Sequence, residues 1–361
     1  MFTLRTINDP ESSTRTGVDA IDELLAIFSG SSRPPEEHDA RDVLIRSVQA
    51  TKRRPPPFIE LTSPSPGDGK RHLLYYLVAV AVLPSHLCSI FVGGQDGAII
   101  IMDNDNRFSV PRLVQIMQHL LSNKIVKAKT GPTSETQLPT SKDMDQAIEA
   151  ALSHVHIFRP QSMESLLTTI TNLRSYIFDP DSHYSIHKRI HSIMLSSASA
   201  FYWQDRCDMD TAAALSAPSA SATTNQKPRS AYIQLAASLR NISAELSCPV
   251  IYTTWTTSPV QLGNTAIRPS LPNPWPTLPL LRLVVQRRSV RKLPGAISAE
   301  EALRDRKDRS EAVAEGWFDV SVNGYNSDEW TDAMREGLRE MGGGGGFAMR
   351  IWHEGVDVDS R

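Results

Sequence analysis

Residues 58–77 read FIELTSPSPGDGKRHLLYYL. The apolar start, the glycine-containing middle and the apolar end predict a buried strand, a turn and a buried helix, in that order. This arrangement is typical of a phosphate-binding P-loop, in which backbone N–H groups and a helix N-terminus surround a phosphate group. The stretch therefore predicts a nucleotide-binding α/β fold.

The loop departs from the motif G-x-x-x-x-G-K-[ST] at two of its four fixed positions. Gly69 and Lys70 match it, whereas Pro64 stands at the first glycine and Arg71 at the hydroxyl that normally holds Mg²⁺. A guanidinium group cannot ligate a metal ion. The candidate nucleotide-binding residues are Pro66, Gly67, Asp68, Gly69, Lys70 and Arg71. The alternative interpretation of Lys70 is a solvated lysine that opens an ordinary helix.

The second expected metal ligand is an Asp at the end of a later apolar strand. The strand is present as Ile190 to Ser196, but Ser196 stands where the Asp would be. Another strand, from Ala98 to Met102, is followed by Asp103 and Asp105 at the edge where α/β folds bind ligands. Either carboxylate could orient a water molecule, or it could simply cap the next turn. We therefore predict no metal site formed directly by protein ligands.

The bulk composition indicates a globular protein with a large core. The chain has 361 residues, of which 40% are hydrophobic, and its formal net charge is −2. That charge excludes a globally basic DNA-coating protein. The longest apolar run is too short to cross a membrane, and the first residues lack a secretory pattern, so we expect no membrane association and an intracellular location. Three scattered cysteines predict neither a disulfide framework nor a zinc site.

One stretch has a strong local charge. Residues 281–292 read LRLVVQRRSVRK and contain no acid. A basic strand end of this kind is a candidate contact for DNA, although a solvated strand end would have the same composition. The candidate DNA-binding residues are Arg287, Arg288, Arg291 and Lys292.

Strand and helix patterns alternate from residue 58 onward, which predicts a mostly parallel sheet flanked by helices. We divide the chain into an N-terminal linker segment, 1–57, and a single core domain, 58–361. Within the core, residues 211–230 form a low-complexity loop. Residues 294–346, which contain a charged helix and the candidate strand WFDVSV, form an insertion between two late edge strands.

Two further sets of residues could carry chemistry. His183, His187 and His191 have the spacing of a helical metal face, but His191 already belongs to the next strand, so a metal site is not expected there. Trp255 ends the strand from Pro249 to Trp255 and could stack on a base, although a packing role is more common for such a residue.

Several segments taken together resemble the RecA-type recombinases and their eukaryotic paralogues. The most specific is SASAFYWQDR, from Ser197 to Arg206, and it follows the strand that ends at Ser196. Supporting segments are TGVDAIDELL, HLLYYL and RLVQIMQHLL, which begin at Thr16, His72 and Arg112. The resemblance covers about Thr16 to Gln286 and the final strand.

The resemblance implies a RecA-like core and a nuclear role in homologous-recombination repair, in a complex with another recombinase paralogue that supports filament assembly. Single-stranded or branched DNA is an implied ligand. By position, Lys70 would be the phosphate-binding lysine, Asp105 would stand where recombinases carry the catalytic Glu, and Trp255 would lie near a nucleotide-sensing Gln. With Arg71 and Ser196 in place of metal ligands, we expect a site that can still take ATP, no direct ligation of Mg²⁺ and no turnover. The alternative function is an active DNA-dependent ATPase, and a P-loop kinase for small molecules would lack a recognisable acceptor site.

Overall fold

The computed structural model of the chain describes residues 15–30, 55–130, 138–215, 229–256, 266–288, 298–342 and 345–359. The helices are α1 (Asp19–Ser29), α2 (Lys70–Val82), α3 (Val110–Lys129), α4 (Ser141–Leu152), α5 (Met163–Ile177), α6 (Tyr202–Leu215), α7 (Ala231–Leu246), α8 (Ala299–Ala314) and α9 (Asp332–Glu340). The strands are β1 (Phe58–Thr62), β2 (His86–Leu87), β3 (Ile90–Phe91), β4 (Ala98–Asp103), β5 (Val155–Phe158), β6 (Ile190–Ser196), β7 (Val250–Thr253), β8 (Leu281–Arg287), β9 (Trp317–Val322), β10 (Phe347–Ile351) and β11 (Val356–Val358).

Most of these strands form one sheet in the order β11-β10-β9-β8-β1-β7-β6-β4-β5. Strands β8, β1, β7, β6, β4 and β5 are parallel to one another. Strands β9, β10 and β11 continue the sheet beyond β8, and each is antiparallel to the strand before it. Strands β2 and β3 form a separate small hairpin. Because parallel strands place their carboxyl ends at one edge, the ends of β1, β4, β6 and β7 meet there.

The sheet lies between two apolar layers, and the sequence of β4 shows why. Its side chains alternate between the faces: Ile99 and Ile101 join the core cluster that also contains α1 to α4, whereas Ile100 and Met102 join the cluster of α5 and α7. Both faces of β4 are covered, so every residue of the strand is buried. The predicted α/β fold with a mostly parallel sheet is confirmed.

The N-terminal region contributes directly to the first of these clusters. Helix α1 lies within residues 1–57 and buries Ile21 and Leu24 completely. At its other end the ring of Phe28 meets that of Trp330 edge-on, with the centroids 5.5 Å apart. This part of the predicted linker segment therefore packs against the core, while the boundary at residue 57 stays a prediction.

Two regions differ from the expectation. Residues 211–215 of the predicted low-complexity loop continue α6, because TAAAL is a good helix-forming sequence, and residues 216–228 lie outside the described part of the chain. Within the predicted insertion 294–346, β9 pairs with both β8 and β10. Because it is paired on both sides, β9 is an internal member of the sheet. Its Phe318 and Val320 side chains are buried in the core. Among the described residues no helix combines the length and apolar character needed to cross a bilayer.

Candidate functional site

The loop between β1 and α2 contains two glycines in the left-handed backbone region, and its identity as a P-loop stays a prediction. Both Gly67 and Gly69 have φ +87°, a conformation that favours glycine. At Gly67 a Cβ atom would meet nothing within 4 Å, whereas at Gly69 it would lie 2.8 Å from Ile351 Cδ1 and 2.9 Å from Phe318 Cδ1. Gly67 is thus required by loop shape alone, and Gly69 by both loop shape and packing.

Lys70 is folded into this loop. Its Nζ donates to Ser63 Oγ at 2.6 Å, and Ser63 Oγ donates to the carbonyl of Ser65 at 2.9 Å. Burial lowers the pKa of Lys70, with Asp68 opposing the shift. No side chain caps the N-terminus of α2, whose N-cap residue is Gly69. The ammonium group and the uncapped N-terminus therefore lie at the same end of the helix, as a phosphate site requires.

Arg71, the residue at the metal-ligand position, is paired with a carboxylate. Its Nη2 donates to Asp105 Oδ2 in a short ion pair, and the two side chains are 33% and 22% exposed. Burial raises the pKa of Asp105, and the Arg71 guanidinium opposes that shift. The pair joins the two positions that the sequence assigned to metal binding and to the catalytic carboxylate.

Asp103 has a structural role. Its carboxylate accepts hydrogen bonds from the backbone N–H groups of Arg107 at 3.0 Å and Phe108 at 3.1 Å, and the Arg159 guanidinium lies 3.4 Å away. The side chain is fully buried. For Asp103 the capping alternative is therefore correct, and Asp105 alone remains as the candidate carboxylate.

Ser196 lies beside these residues at the sheet edge. In the register of β4 and β6 its Cα faces that of Asp103, and its Oγ is buried without a hydrogen-bond partner. Mg²⁺ prefers carboxylate, phosphate and water oxygens in an octahedron, whereas here Ser196 offers one hydroxyl, Asp105 is paired with Arg71, and Asp103 is occupied by backbone N–H groups and Arg159. The residues present therefore do not fit Mg²⁺ held directly by the protein.

The histidine trio forms no site. His191 is buried in β6, and His183 Nε2 lies 3.1 Å from the carbonyl oxygen of Ile177. In the described ranges no group of three or more His, Cys, Asp or Glu side chains could hold a metal ion.

Trp255 lies just beyond β7 and is 39% exposed. Its backbone N–H donates to Ser199 Oγ at 3.1 Å, and its backbone carbonyl accepts from Ser270 Oγ at 2.8 Å. Its backbone is held by these two contacts while the side chain is partly open to solvent, so the packing and stacking alternatives both stay open. Base stacking stays a prediction.

The basic strand end is only partly described. The Arg287 guanidinium lies 4.8 Å from the centre of the Phe318 ring, and Arg288 forms an ion pair with Asp319 at 2.6 Å. Arg291 and Lys292 lie outside the described residues. Arg288 therefore has a charge partner, whereas no ion pair of Arg287 with another described residue is present.

Sequence reasoning missed one buried ion pair near the loop. Arg282 Nε donates to Glu60 Oε2 at 2.5 Å, Thr254 Oγ1 donates to Glu60 Oε1 at 2.7 Å, and both charged side chains are at most 10% exposed. Glu60 and Arg282 are directly opposite in the register of β1 and β8. An acid inside FIELT and a base inside LRLVV were the available signals.

The chain is similar in sequence to known DNA repair proteins. The human DNA repair protein RAD51 homolog 2 is 26% identical over 195 residues, which is 54% of this chain and 40% of that protein. The mouse DNA repair protein XRCC2 is 25% identical over 140 residues, 39% of each chain. The chain is similar to the RAD51 paralogues of DNA repair. The similarity to these paralogues spans about two fifths of the length of each relative. It agrees with the RecA-like core expected from the sequence. No model of a known protein family matches the chain.

Proposed function

We propose that the chain is a nuclear subunit of homologous-recombination repair of DNA double-strand breaks, which supports recombinase filament assembly through protein contacts and does not turn over ATP. Two lines support this proposal. The relatives are DNA repair proteins, and the candidate phosphate-binding loop lies between β1 and α2, at the carboxyl edge of the parallel strands where α/β folds bind ligands.

The Arg71–Asp105 ion pair is the main observation that supports a degenerate nucleotide site. Phosphoryl transfer needs a metal ion on the phosphates and a residue that orients the attacking water. Here Arg71 stands at the position of the metal-binding hydroxyl and is paired with Asp105, the candidate catalytic carboxylate among the described residues. Lys70 and the loop glycines can hold phosphates without supplying either function.

The partner surface that we propose is the groove beside β5. Strand β5 ends the sheet order, so one of its edges is unpaired among the described strands. Next to it lies a cavity of about 590 Å³ lined by Phe158, Thr168, Leu173 and Tyr176 with five further residues. An open strand edge beside a partly apolar groove suits an extended segment of a partner chain, whose backbone adds a strand while its side chains fill the groove. The partner would be another recombinase paralogue.

DNA contact is a secondary part of the proposal. Arg287, Arg288, Arg291 and Lys292 would meet single-stranded or branched DNA through its phosphates. Because Arg288 is already paired with Asp319, we expect Arg287→Gln to weaken binding more than Arg288→Gln. A filter-binding titration in low salt measures both. If the unsubstituted protein binds no DNA there, this part of the proposal is removed.

A complementation assay tests the main proposal. In cells that lack this protein, Lys70→Ala should restore resistance to double-strand-break agents as fully as the unsubstituted chain. Thr168→Arg, which places a charged side chain in the β5 groove, should restore much less. Failure of a folded Lys70→Ala variant to complement would favour the alternative, an active DNA-dependent ATPase, for which the position of Lys70 inside the loop is the supporting observation.

A further inference from the structure

The site has a positive charge of its own where related P-loops place a metal ion. Arg71 is the first residue after Lys70 in α2, and its side chain is one-third exposed, so it lies at the mouth of the loop and can still reach solvent. Its only ion pair among the described residues is the one with Asp105. The guanidinium therefore has a carboxylate partner and is also accessible to a ligand from solvent.

The strand ends beside the Arg71–Asp105 pair are polar, and some of their buried polar atoms lack a hydrogen-bond partner among the described residues. Ser196 Oγ, Asn104 Oδ1 and Asp105 Oδ1 are buried and have no hydrogen-bond partner within the described chain. They lie together, because the N–H of Asn104 donates to the carbonyl of Ser196 at 3.3 Å. A buried acceptor left unpaired costs about 1–3 kcal/mol. Three such atoms at one sheet edge indicate that water or a ligand supplies their hydrogen bonds.

The charges around the loop favour an anion. Lys70 and Arg71 adjoin the N-terminus of α2, where the helix dipole adds positive potential. Arg107 and Asp105 interact, and Asp103 is already paired with Arg159. The remaining opposing carboxylates at the loop are Asp68, whose Oδ2 accepts from the N–H of Ser65 at 2.7 Å, and Asp105 itself.

We propose that this site binds a nucleoside triphosphate without magnesium, and that Arg71 leaves Asp105 for the phosphate oxygens when the nucleotide enters. A guanidinium group donates two parallel hydrogen bonds to a phosphate, with a geometry that suits it as well as a carboxylate does. Magnesium on the nucleotide would occupy those oxygens and place its own charge against Arg71. The sign of the magnesium effect is therefore the reverse of that in an ordinary P-loop. This inference rests on the proposed nucleotide site and assigns how it is regulated.

Calorimetric titration of the full chain with unmodified ATP tests the inference. The titration is run once in EDTA and once in excess Mg²⁺. We expect binding that is about tenfold tighter in EDTA, the change given by one charge-assisted hydrogen bond gained or lost. Asp105→Asn, which removes the competing carboxylate, should tighten binding in EDTA by a similar factor. Asp96→Asn is the matched control, because Asp96 is paired with Lys188 away from the loop, and it should change nothing.

A second pair of variants separates the effect of the Arg71 charge from that of its hydrogen-bond geometry. Arg71→Ser restores a hydroxyl at the metal position and should abolish the preference for metal-free ATP. Arg71→Lys keeps the charge but loses the two-pronged geometry, and it should retain part of the preference. Equal or tighter binding in Mg²⁺, no binding in either condition, or an Arg71→Ser variant with unchanged affinity in EDTA would overturn the inference. The complementation assay with Lys70→Ala is independent of these results. Failure of the proposed movement of Arg71 and failure of the repair role are therefore distinguishable.

Discussion

Lys70 and Arg71 are adjacent cations at the start of α2, and the structure gives them different partners. Lys70 turns into the loop and donates to Ser63, whereas Arg71 turns to the end of β4 and pairs with Asp105. The first contact is to a neutral hydroxyl, which leaves the positive charge of Lys70 uncompensated by that bond. The second neutralises both groups. These two contacts are consistent with the proposed roles of Lys70 in binding phosphate and of Arg71 in replacing the metal ion.

The two glycines of the loop give a matched stability test. Gly69→Ala adds a methyl group within 3 Å of Ile351 and Phe318 at a φ of +87°, whereas Gly67→Ala meets the same φ in open space. We expect Gly67→Ala to lower the free energy of unfolding by about 1 kcal/mol and Gly69→Ala by about 2–4 kcal/mol. Urea unfolding of both variants measures the difference. Equal losses would show that Gly69 is not packed against the C-terminal strands.

The ion pairs of Arg282 and Arg288 give a second matched pair. Arg282→Ala leaves Glu60 buried and charged, so we expect a loss of about 3–5 kcal/mol in the free energy of unfolding. Arg288→Ala breaks a pair whose side chains are half exposed, and the loss should stay below about 1 kcal/mol. Denaturant titration monitored by circular dichroism compares them. Similar costs for both variants would contradict the burial of the Glu60–Arg282 pair.

At the scale of elements, the sequence predicts those with a clear hydrophobic period. Strands β1, β4, β6, β7 and β8 come from short apolar runs, and α3 comes from apolar residues at helical spacing. The hairpin of β2 and β3 has two residues in each strand, which is too few for any period to show. Helix α6 buries only Asp205 and has no apolar face, so its alanine-rich end reads as low complexity.

The candidate site is predictable to the level of a sheet edge and no further. Strand ends place Lys70, Asp105 and Ser196 at one edge, because the strands are parallel. The ion-pair partner of each side chain is not predictable in this way. Arg71 and Asp105 are 34 positions apart, and their pairing depends on side-chain directions that no sequence period encodes. The same holds for Asp103, whose capping role depends on the turn that follows β4.

Two threonines of helix α5 provide a matched test of the β5 groove. Thr168 lines the groove, whereas Thr171 is exposed on the same helix and does not line it. We expect Thr168→Arg to weaken capture of a recombinase paralogue from nuclear extract at least tenfold, because a charged side chain would occupy the space of the partner's apolar residue. Thr171→Arg should leave capture unchanged. If both variants capture the partner equally well, the groove is not the interface.

At the scale of the whole molecule, the buried histidines make stability depend on pH. Burial lowers the pKa of His72 to about 4 and that of His191 to about 3. The unfolded chain protonates its histidines below a pKa of about 6.5, while the folded chain keeps these two neutral. The stabilisation is therefore complete above pH 6.5 and decreases as the pH falls towards 4.

His191→Gln isolates one of these two contributions. Between pH 7 and pH 5 the unsubstituted protein should lose about 2 kcal/mol more free energy of unfolding than the variant. The comparison cancels Asp22 and Asp105, whose pKa values are raised mainly by burial and which act in the opposite direction. Urea unfolding at the two pH values measures the difference. Parallel pH profiles would show that His191 titrates normally in the folded chain.

The central proposal is that the loop from Ser63 to Gly69 can bind phosphate while the residues around it do not ligate a metal ion directly. Phosphate release from ATP, measured with Mg²⁺ and with and without single-stranded DNA, tests this most directly. We expect the rate to equal that of the Lys70→Ala variant in every condition, because Arg71 supplies no metal ligand, Ser196 supplies no carboxylate, and Asp105 is paired with Arg71. A magnesium-dependent rate that single-stranded DNA stimulates and that Lys70→Ala abolishes would contradict the account.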